Sequence, residues 1–223
     1  MSFILKKDID SYDHDSIIKV WDNVLPDTVA SDLNKEIATS NEWSLKREHL
    51  TENDYGYLNW NNSVWGINIG GAGLPQDHPN NQLKQFRSIE SNVWKKWPRI
   101  KILWNSIKKL CPQYELECSR VWALGTRTMG GSLHTDMVTK FFDEVPGITF
   151  IYYAVDEWKI EWDGATHIFN NGEILKSVLP KTNRLIAFDP RLQHKASAIS
   201  RKCSTLRAVI TFHARLPKEK INE

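Results

Sequence analysis

Apolar residues in the first half of the chain recur at the three- and four-residue spacing of helices. One such face follows Pro26 and consists of Val29, Leu33 and Ile37. It predicts an amphipathic helix with a proline in its first turn. A second helical pattern runs from about residue 82 to residue 110, and Pro98 inside it predicts two helices or one kinked helix. Residues 42–82 lack this period and are rich in Asn, Gly and Trp, so short strands and loops are expected there.

From Tyr114 onward the pattern changes to β-branched and aromatic runs separated by turn residues, which is typical of strands. Six strands are predicted, at 114–124, 148–155, 165–169, 173–179, 184–189 and 206–214. Asn170-Asn171-Gly172 between two of them is a hairpin signal. Helices followed by strands predict an α+β protein with a mainly antiparallel β unit. We expect one domain, 1–223, in which residues 1–112 are mainly helical support and loops and residues 113–216 form the β core.

Composition and charge restrict the class of protein. The chain has 223 residues, 41% hydrophobic and 25% charged, as in ordinary globular domains. The net charge of +2, with interleaved signs, argues against a nucleic-acid partner. No segment approaches the ~18 apolar residues of a spanning helix, and no signal-peptide pattern is present, so no membrane partner is expected. Three cysteines without metal-site spacing are expected to be reduced thiols of a cytoplasmic protein.

Two side chains in the segment after Gly131 are candidate metal ligands. His134 and Asp136 lie two residues apart, so in an extended segment they project to the same face. Such a pair alone is weak evidence, but His194 follows the apolar strand 184–188, where a third ligand at a strand end is expected. Non-haem iron oxygenases use two histidines and one carboxylate on one face of the metal and leave the opposite face open.

The strand at 206–214 contains an arginine where an apolar side chain would be expected. Period-two alternation places on one face Arg207, Val209, Thr211 and His213. An arginine that faces inward is costly unless it meets an anion, and its fixed guanidinium is a good partner for a carboxylate. For His213, a packed or surface position is favoured over a ligand role.

These residues resemble the Fe(II)/2-oxoglutarate-dependent dioxygenases, especially the prolyl-4-hydroxylase-like branch, whose core is a double-stranded β-helix, or jelly roll. The resemblance covers about residues 120–212, and its motifs are His134/Asp136, Ile151-Tyr152-Tyr153, Trp162-Asp163-Gly164, His194 and Arg207. It implies a jelly-roll core supported by N-terminal helices. It also implies an enzyme that hydroxylates an unactivated C–H bond of a small-molecule or peptide substrate and releases succinate and CO2.

The resemblance also assigns roles to individual residues. The metal ligands would be His134, Asp136 and His194, and the residues that bind the distal carboxylate of 2-oxoglutarate would be Tyr153, Arg207 and Thr211. The resemblance implies Fe(II) as cofactor and 2-oxoglutarate and O2 as cosubstrates. Ascorbate is a possible further cofactor. Tyr152 points to the opposite face and is expected in the core. Arg127 either meets an anionic group of the substrate or faces solvent.

The chain departs from the family pattern in one place, and several interpretations stay open. Small members often read Trp-Gly-Gly-Glu-Thr where this chain has residues 162–166, WDGAT, which weakens any transfer of substrate contacts. The presence of Asp136 argues against a halogenase, in which Gly or Ala replaces the carboxylate. One alternative is a jelly-roll binding or regulatory protein that binds metal without turnover. Another is a cupin-type isomerase or a dioxygenase without cosubstrate. Residues 59–73 are either a substrate lid or a structural loop.

Overall fold

The computed structural model describes residues 18–46, 64–71, 91–127, 130–136 and 147–215. The helices of this part are α1 (Asp27–Ala38), α2 (Ser91–Lys96) and α3 (Pro98–Leu110). The strands are β1 (Ile18–Asp22), β2 (Ser44–Lys46), β3 (Val64–Gly71), β4 (Glu117–Thr126), β5 (Gly147–Tyr153), β6 (Thr166–Asn170), β7 (Glu173–Val178), β8 (Arg184–Phe188), β9 (Gln193–Ala196) and β10 (Arg207–Arg215).

The strands form two antiparallel sheets. The large sheet has the order β1-β8-β5-β10-β4-β3-β2, and the small sheet has the order β7-β6-β9. Their facing sides share one apolar cluster, to which Ile151 and Val209 contribute from the large sheet and Ile168 and Val178 from the small one. The predicted α+β class with a mainly antiparallel β unit is therefore confirmed.

The helices cover the other side of the large sheet. Helices α1 and α3 are amphipathic, and their buried faces include Leu33, Ile37, Leu103 and Trp104. Each such side chain stabilises the fold by about 1.5–3 kcal/mol relative to exposure. The ring of Trp104 stacks on that of Phe212 of β10, with centroids 5.6 Å apart. The large sheet thus has an outer face that packs on helices and an inner face that looks toward the small sheet.

Two local predictions are confirmed by the backbone. Pro98 occupies the first turn of α3, where its missing N–H leaves no helix hydrogen bond unmade, and it separates α2 from α3. The predicted helix α1 is also present, but it begins at Asp27, so Pro26 is its N-cap residue and does not lie in its first turn. In the β6–β7 hairpin, Asn171 and Gly172 have φ angles of 50° and 82°. Two successive residues with positive φ are what a tight type I′ hairpin turn requires.

Several features differ from the expected pattern or extend it. Strand β1 was not predicted, and it pairs with β8 at one edge of the large sheet. His194 does not end the strand at 184–188 but lies in β9, a separate short strand of the small sheet. Within the proposed lid region, residues 64–71 form β3 of the large sheet, and the rest of that region lies outside the described residues. No helix in the described ranges has the length and apolar content to cross a bilayer.

Candidate active site

Backbone hydrogen bonds attach residues 131–136 to the end of the small sheet. His134 and His194 exchange both of their N–H···O=C bonds, at 3.1 and 2.8 Å. The Gly131 N–H donates to Ala196 at 3.0 Å, and the Asp136 N–H donates to Pro190 at 3.2 Å. His134 thus lies directly opposite His194, and the ring centroids are 4.3 Å apart. The two histidines are brought together by strand pairing rather than by chain proximity.

A glycine permits this close approach. A Cβ atom on Gly130 would lie 2.6 Å from the carbonyl oxygen of Ala196, which is a backbone atom and cannot move aside easily. A Cβ on Gly131 would have ordinary van der Waals contacts, the nearest at 3.6 Å. Of the two glycines that precede the candidate ligands, Gly130 is therefore the one that the packing requires.

The two histidines present the same ring nitrogen to Asp136. The Nδ1 atoms lie 2.9 Å from the carbonyl oxygen of Ser132, for His134, and 3.3 Å from that of Leu192, for His194. Because a carbonyl only accepts, each Nδ1 carries the proton, and each Nε2 keeps its lone pair. These Nε2 atoms lie 3.5 and 3.6 Å from Asp136 Oδ1.

The three donor atoms suit a bound metal ion. One donor atom from each of His134, Asp136 and His194 lies within 4.8 Å of the others. That spacing leaves room for an ion with bonds of about 2.1 Å to each donor. Two neutral imidazoles and a carboxylate on one side form the donor set that ferrous iron uses in non-haem oxygenases, so the residues fit Fe(II).

The side chains of Asp136 and His194 are 6% and 7% exposed, whereas that of His134 is 49% exposed, so the site opens on the His134 side.

The second oxygen of Asp136 is held by the large sheet. The Thr149 hydroxyl donates to Asp136 Oδ2 at 2.7 Å, and His213 Nε2 lies 3.4 Å from the same oxygen. Thr149 and His213 are opposite each other in the β5–β10 register, so one row of the sheet supplies both contacts. His213 therefore does more than pack in the core, because it contacts the Asp136 carboxylate. It is not one of the three residues that supply the donor atoms.

The electrostatics favour an ionised Asp136 carboxylate and a neutral His194 imidazole. Burial alone would raise the pKa of Asp136, but the imidazoles of His213, His194 and His134 hold this pKa well below its usual range. Burial lowers the pKa of His194, and the charge of Asp136 opposes that effect only in part. Deprotonated Asp136 and neutral His194 are the forms that bind metal ions.

A buried arginine lies on the same inner face of the large sheet. Arg207 is 5% exposed. It donates from Nε to the carbonyl oxygen of Gly164 at 2.7 Å and from Nη2 to Thr166 Oγ1 at 2.9 Å. Burial lowers its pKa, yet a guanidinium stays protonated in proteins. Among the residues that the structure describes, no carboxylate forms an ion pair with Arg207, so its charge is not compensated.

Gly164 lies in close contact with this arginine. Its φ angle of 77° lies in the left-handed region that favours glycine. A Cβ atom there would lie 3.1 Å from Trp158 and 3.3 Å from Cδ of Arg207, both tighter than ordinary contacts. The glycine of the Trp162-Asp163-Gly164 motif therefore lets the backbone approach Arg207 closely enough to accept its hydrogen bond.

Two other predicted site residues lie on the same inner face of the large sheet. Tyr153 is fully buried, and its hydroxyl lies 2.8 Å from Thr166 Oγ1 and 3.0 Å from the carbonyl oxygen of Val178. The guanidinium carbon of Arg207 is 5.4 Å from the Tyr153 ring centroid. Thr211 is buried on the same face of β10, between Arg207 and His213 in sequence. Tyr152 packs on the opposite side, as expected.

Two residues beside Arg207 were not identified from the sequence, and one predicted residue lies on the surface. Thr166 connects Tyr153 to Arg207 and was not predicted. Thr126 lies opposite Arg207 in the β4–β10 register, and its buried hydroxyl has no hydrogen-bond partner among the described residues. Arg127 follows directly after β4 and is exposed, as in the solvent-facing alternative.

Comparison with known proteins identifies the fold. No family model matches the sequence, and no curated protein matches it. A prolyl hydroxylase from Trichoplax adhaerens, solved in complex with a hypoxia inducible factor oxygen degradation domain peptide, is similar in structure: the TM-score is 0.56 at 15% identity, over 88% of this chain and 82% of that one. A Pseudomonas putida prolyl-4-hydroxylase has a TM-score of 0.53 at 14% identity, over 90% and 93%.

A third solved structure agrees with these two. It is an oxidoreductase of the 2OG-Fe(II) oxygenase family from Burkholderia pseudomallei, with a TM-score of 0.56 at 10% identity, over 90% of this chain and 85% of that one. At such identities the likeness establishes the fold. The chain has the jelly-roll fold of the 2-oxoglutarate and Fe(II) oxygenases, and the fold class predicted from the sequence is confirmed.

Proposed function

We propose that this protein is an Fe(II)- and 2-oxoglutarate-dependent oxygenase that hydroxylates an unactivated C–H bond. One observation carries the proposal. A triad of His134, Asp136 and His194 with convergent donor atoms contacts, through Asp136, the inner face of the large sheet. Arg207 lies on that face, and its buried guanidinium has no carboxylate partner among the described residues. Three neutral or anionic donors suit a cation, and the arginine suits an anion. One metal-chelating dicarboxylate satisfies both requirements.

The residues of the triad would hold the metal. The two Nε2 atoms and Asp136 Oδ1 bind Fe(II), while Thr149 and His213 keep Asp136 Oδ2 in place. When bound, Fe(II) with 2-oxoglutarate and O2 supplies the oxidant for hydroxylation and yields succinate and CO2. The protein supplies placement and excludes water from the buried side of the site.

The Arg207 pocket would bind the distal carboxylate of 2-oxoglutarate. An uncompensated buried cation is costly, and a carboxylate that accepts hydrogen bonds from a guanidinium removes much of that cost. Gly164 accepts from Nε of Arg207 and Thr166 accepts one N–H of Nη2, which leaves three N–H groups of the guanidinium for a ligand. Tyr153 and Thr211 lie on the same face and would complete the site, and the free hydroxyl of Thr126 is an additional donor.

The substrate is a small molecule or a peptide that approaches from the exposed His134 side. The Trichoplax enzyme, which was solved with a peptide, supports the peptide alternative by fold similarity alone. The three cysteines, of which two are buried, support a reducing, cytoplasmic location. The chain would act as one catalytic domain, and ascorbate would serve only as an auxiliary reductant.

The proposal is tested by anaerobic titration of the metal-free protein with Fe(II) and then 2-oxoglutarate. The measurement is the visible charge-transfer band of an iron–ketoacid chelate. Wild type should show the band, and His194→Ala should lose it because one ligand is missing. The matched control is His167→Ala, which removes a histidine of the small sheet whose Nδ1 lies 2.6 Å from Ser177. This variant should keep the band.

The alternatives give different results. Folded wild type that binds iron but shows no band would contradict the oxygenase proposal. Iron binding without any turnover would then favour the binding or regulatory protein. Oxygen-dependent turnover that does not require 2-oxoglutarate would favour a cosubstrate-independent dioxygenase.

A further inference from the structure

We propose that the substrate is an anion with a carboxylate or phosphate group, and that Arg120 binds this group beside the metal site. The inference rests on the proposed function and adds the chemical class of the substrate. Arg120 belongs to neither group of residues assigned above: it is not a donor of the triad, and it is not part of the Arg207 pocket.

The sheet register places Arg120 next to the metal site. In the β4–β10 pair, Arg120 is opposite His213, and directly opposed residues project to the same side of a sheet. His213 lies 3.4 Å from Asp136. Arg120 is therefore on the strand next to the residue that contacts the metal-binding carboxylate. The electrostatic influence of Asp136 on Arg120 agrees with this placement.

The guanidinium is fixed by an aromatic ring rather than extended into solvent. Its central carbon lies 3.4 Å from the ring centroid of Trp122, two residues along on the same face of β4. The Trp122 ring in turn meets the His213 ring edge-on, with centroids 4.8 Å apart. Stacking uses the flat side of a guanidinium and leaves its N–H edge available for a planar or tetrahedral oxyanion.

Within the described ranges, Arg120 is not in direct contact with a carboxylate. None of the ion pairs among the described residues involves Arg120. Burial lowers the pKa of Arg120 to about 10, which still leaves it protonated at neutral pH. Asp136, the nearby carboxylate, would be neutralised by the metal ion and cannot serve both cations.

A charge count for the loaded site indicates the sign of the substrate. Fe(II) contributes two positive charges, and Arg207 and Arg120 contribute one each. Asp136 contributes one negative charge and 2-oxoglutarate two. One positive charge is left over in a partly buried site, where unpaired charge is costly. An anionic group on the substrate would cancel it, and a cationic group would increase it.

The test compares acids with their neutral amides. Calorimetry under anaerobic conditions would measure binding of benzoate against benzamide, and of N-acetylglycine against N-acetylglycinamide, to the Fe(II)–2-oxoglutarate complex. Binding of inorganic phosphate is measured separately, to test for a phosphate group on the substrate. The variants are Arg120→Gln and Arg120→Lys. The control is Arg99→Gln, which removes the same charge from helix α3, where Arg99 pairs with Asp32 and Glu36.

The expected result is that at least one oxyanion, an acid or phosphate, binds wild type at least tenfold more tightly than the neutral amides. Arg120→Gln should abolish this preference and keep amide binding. Arg120→Lys should keep part of it, and Arg99→Gln should keep all of it. The dissociation constant of 2-oxoglutarate should change less than twofold in Arg120→Gln.

Three results would overturn the proposal. The first is equal binding of oxyanions and amides to wild type. This result is obtained with the wild-type protein alone, so it does not depend on the folding of any variant. The second is a preference that persists in Arg120→Gln. The third is a large loss of 2-oxoglutarate affinity in Arg120→Gln, which would assign Arg120 to the cosubstrate. Absence of the charge-transfer band in wild type would instead overturn the proposed function itself, and this inference with it.

Discussion

Both faces of strand β10 are largely buried, but they have opposite chemistry. On the outer face Ala208, Ile210, Phe212 and Ala214 are at most 2% exposed, and on the inner face Arg207, Val209 and Thr211 are at most 5% exposed. The outer residues pack on helices, whereas Arg207 makes hydrogen bonds with Gly164 and Thr166. Burial therefore does not separate structural from functional residues in this strand.

Substitutions of adjacent residues in β10 should therefore have different effects on stability and on ligand binding. A change on the outer face removes packing and lowers the free energy of unfolding. A change on the inner face removes a polar contact with a ligand and should alter ligand affinity while the folded state persists. Both kinds of effect are measurable in the same protein, so each substitution needs a stability measurement and a binding measurement.

The largest expected effect on stability is that of Phe212→Ala. Phe212 is fully buried and stacks on Trp104, so the substitution leaves a cavity and should lower the free energy of unfolding by about 3–5 kcal/mol. Denaturant unfolding measures this loss. The 2-oxoglutarate affinity of the folded fraction should stay unchanged, and a parallel loss of affinity would mean that the two faces are coupled.

An intermediate effect is expected for Thr149→Val on the neighbouring strand β5. The change removes the hydrogen bond to Asp136 Oδ2 at nearly constant volume, so the carboxylate is less well oriented. Loss of such a contact to a metal ligand typically weakens metal binding about 10- to 100-fold. Competition with a chelator measures the Fe(II) affinity. Ile151→Val on the same face is the control, and an equal loss there would remove the specific role of Thr149.

The smallest effect is expected for Thr211→Val. If the Thr211 hydroxyl donates one hydrogen bond to the distal carboxylate of 2-oxoglutarate, its loss costs about 0.5–1.5 kcal/mol, or roughly a 2- to 10-fold weaker affinity. Ile210→Val, one residue away on the outer face, should leave that affinity unchanged and lower stability by about 0.5–1.5 kcal/mol. If both variants changed 2-oxoglutarate affinity and stability to the same extent, the inner and outer faces of β10 would not have separate roles.

Local periodicity is the part of the site that the sequence could predict. The alternation of β10 placed Arg207 and Thr211 on one side because side chains in a strand alternate strictly. The spacing of His134 and Asp136 and the position of His194 after an apolar strand indicated a metal site, which the family resemblance supported. The structure brings their donor atoms together. The inward positions of β5 follow the same rule, so Thr149 could have been noted from its spacing to Tyr153.

Contacts between distant strands could not be predicted in the same way. Thr166 meets Arg207 only because β6 of the small sheet packs near β10, and nothing in the local sequence of β6 indicates this. Thr126 and Arg120 acquire their positions from the β4–β10 register, which depends on the whole sheet. Strand β1 is short and lies at a sheet edge, so it lacked a clear pattern until its pairing with β8 was known.

The most direct test of the account is the dissociation constant of 2-oxoglutarate in wild type and Arg207→Gln, measured anaerobically with Fe(II) through the charge-transfer band. Loss of a buried charge-paired hydrogen bond costs about 2–5 kcal/mol. We therefore expect at least a 30-fold weaker affinity in the variant, with the same band at saturation because the triad is intact. An unchanged dissociation constant in folded Arg207→Gln would contradict the assignment of Arg207 and, with it, the proposed cosubstrate site.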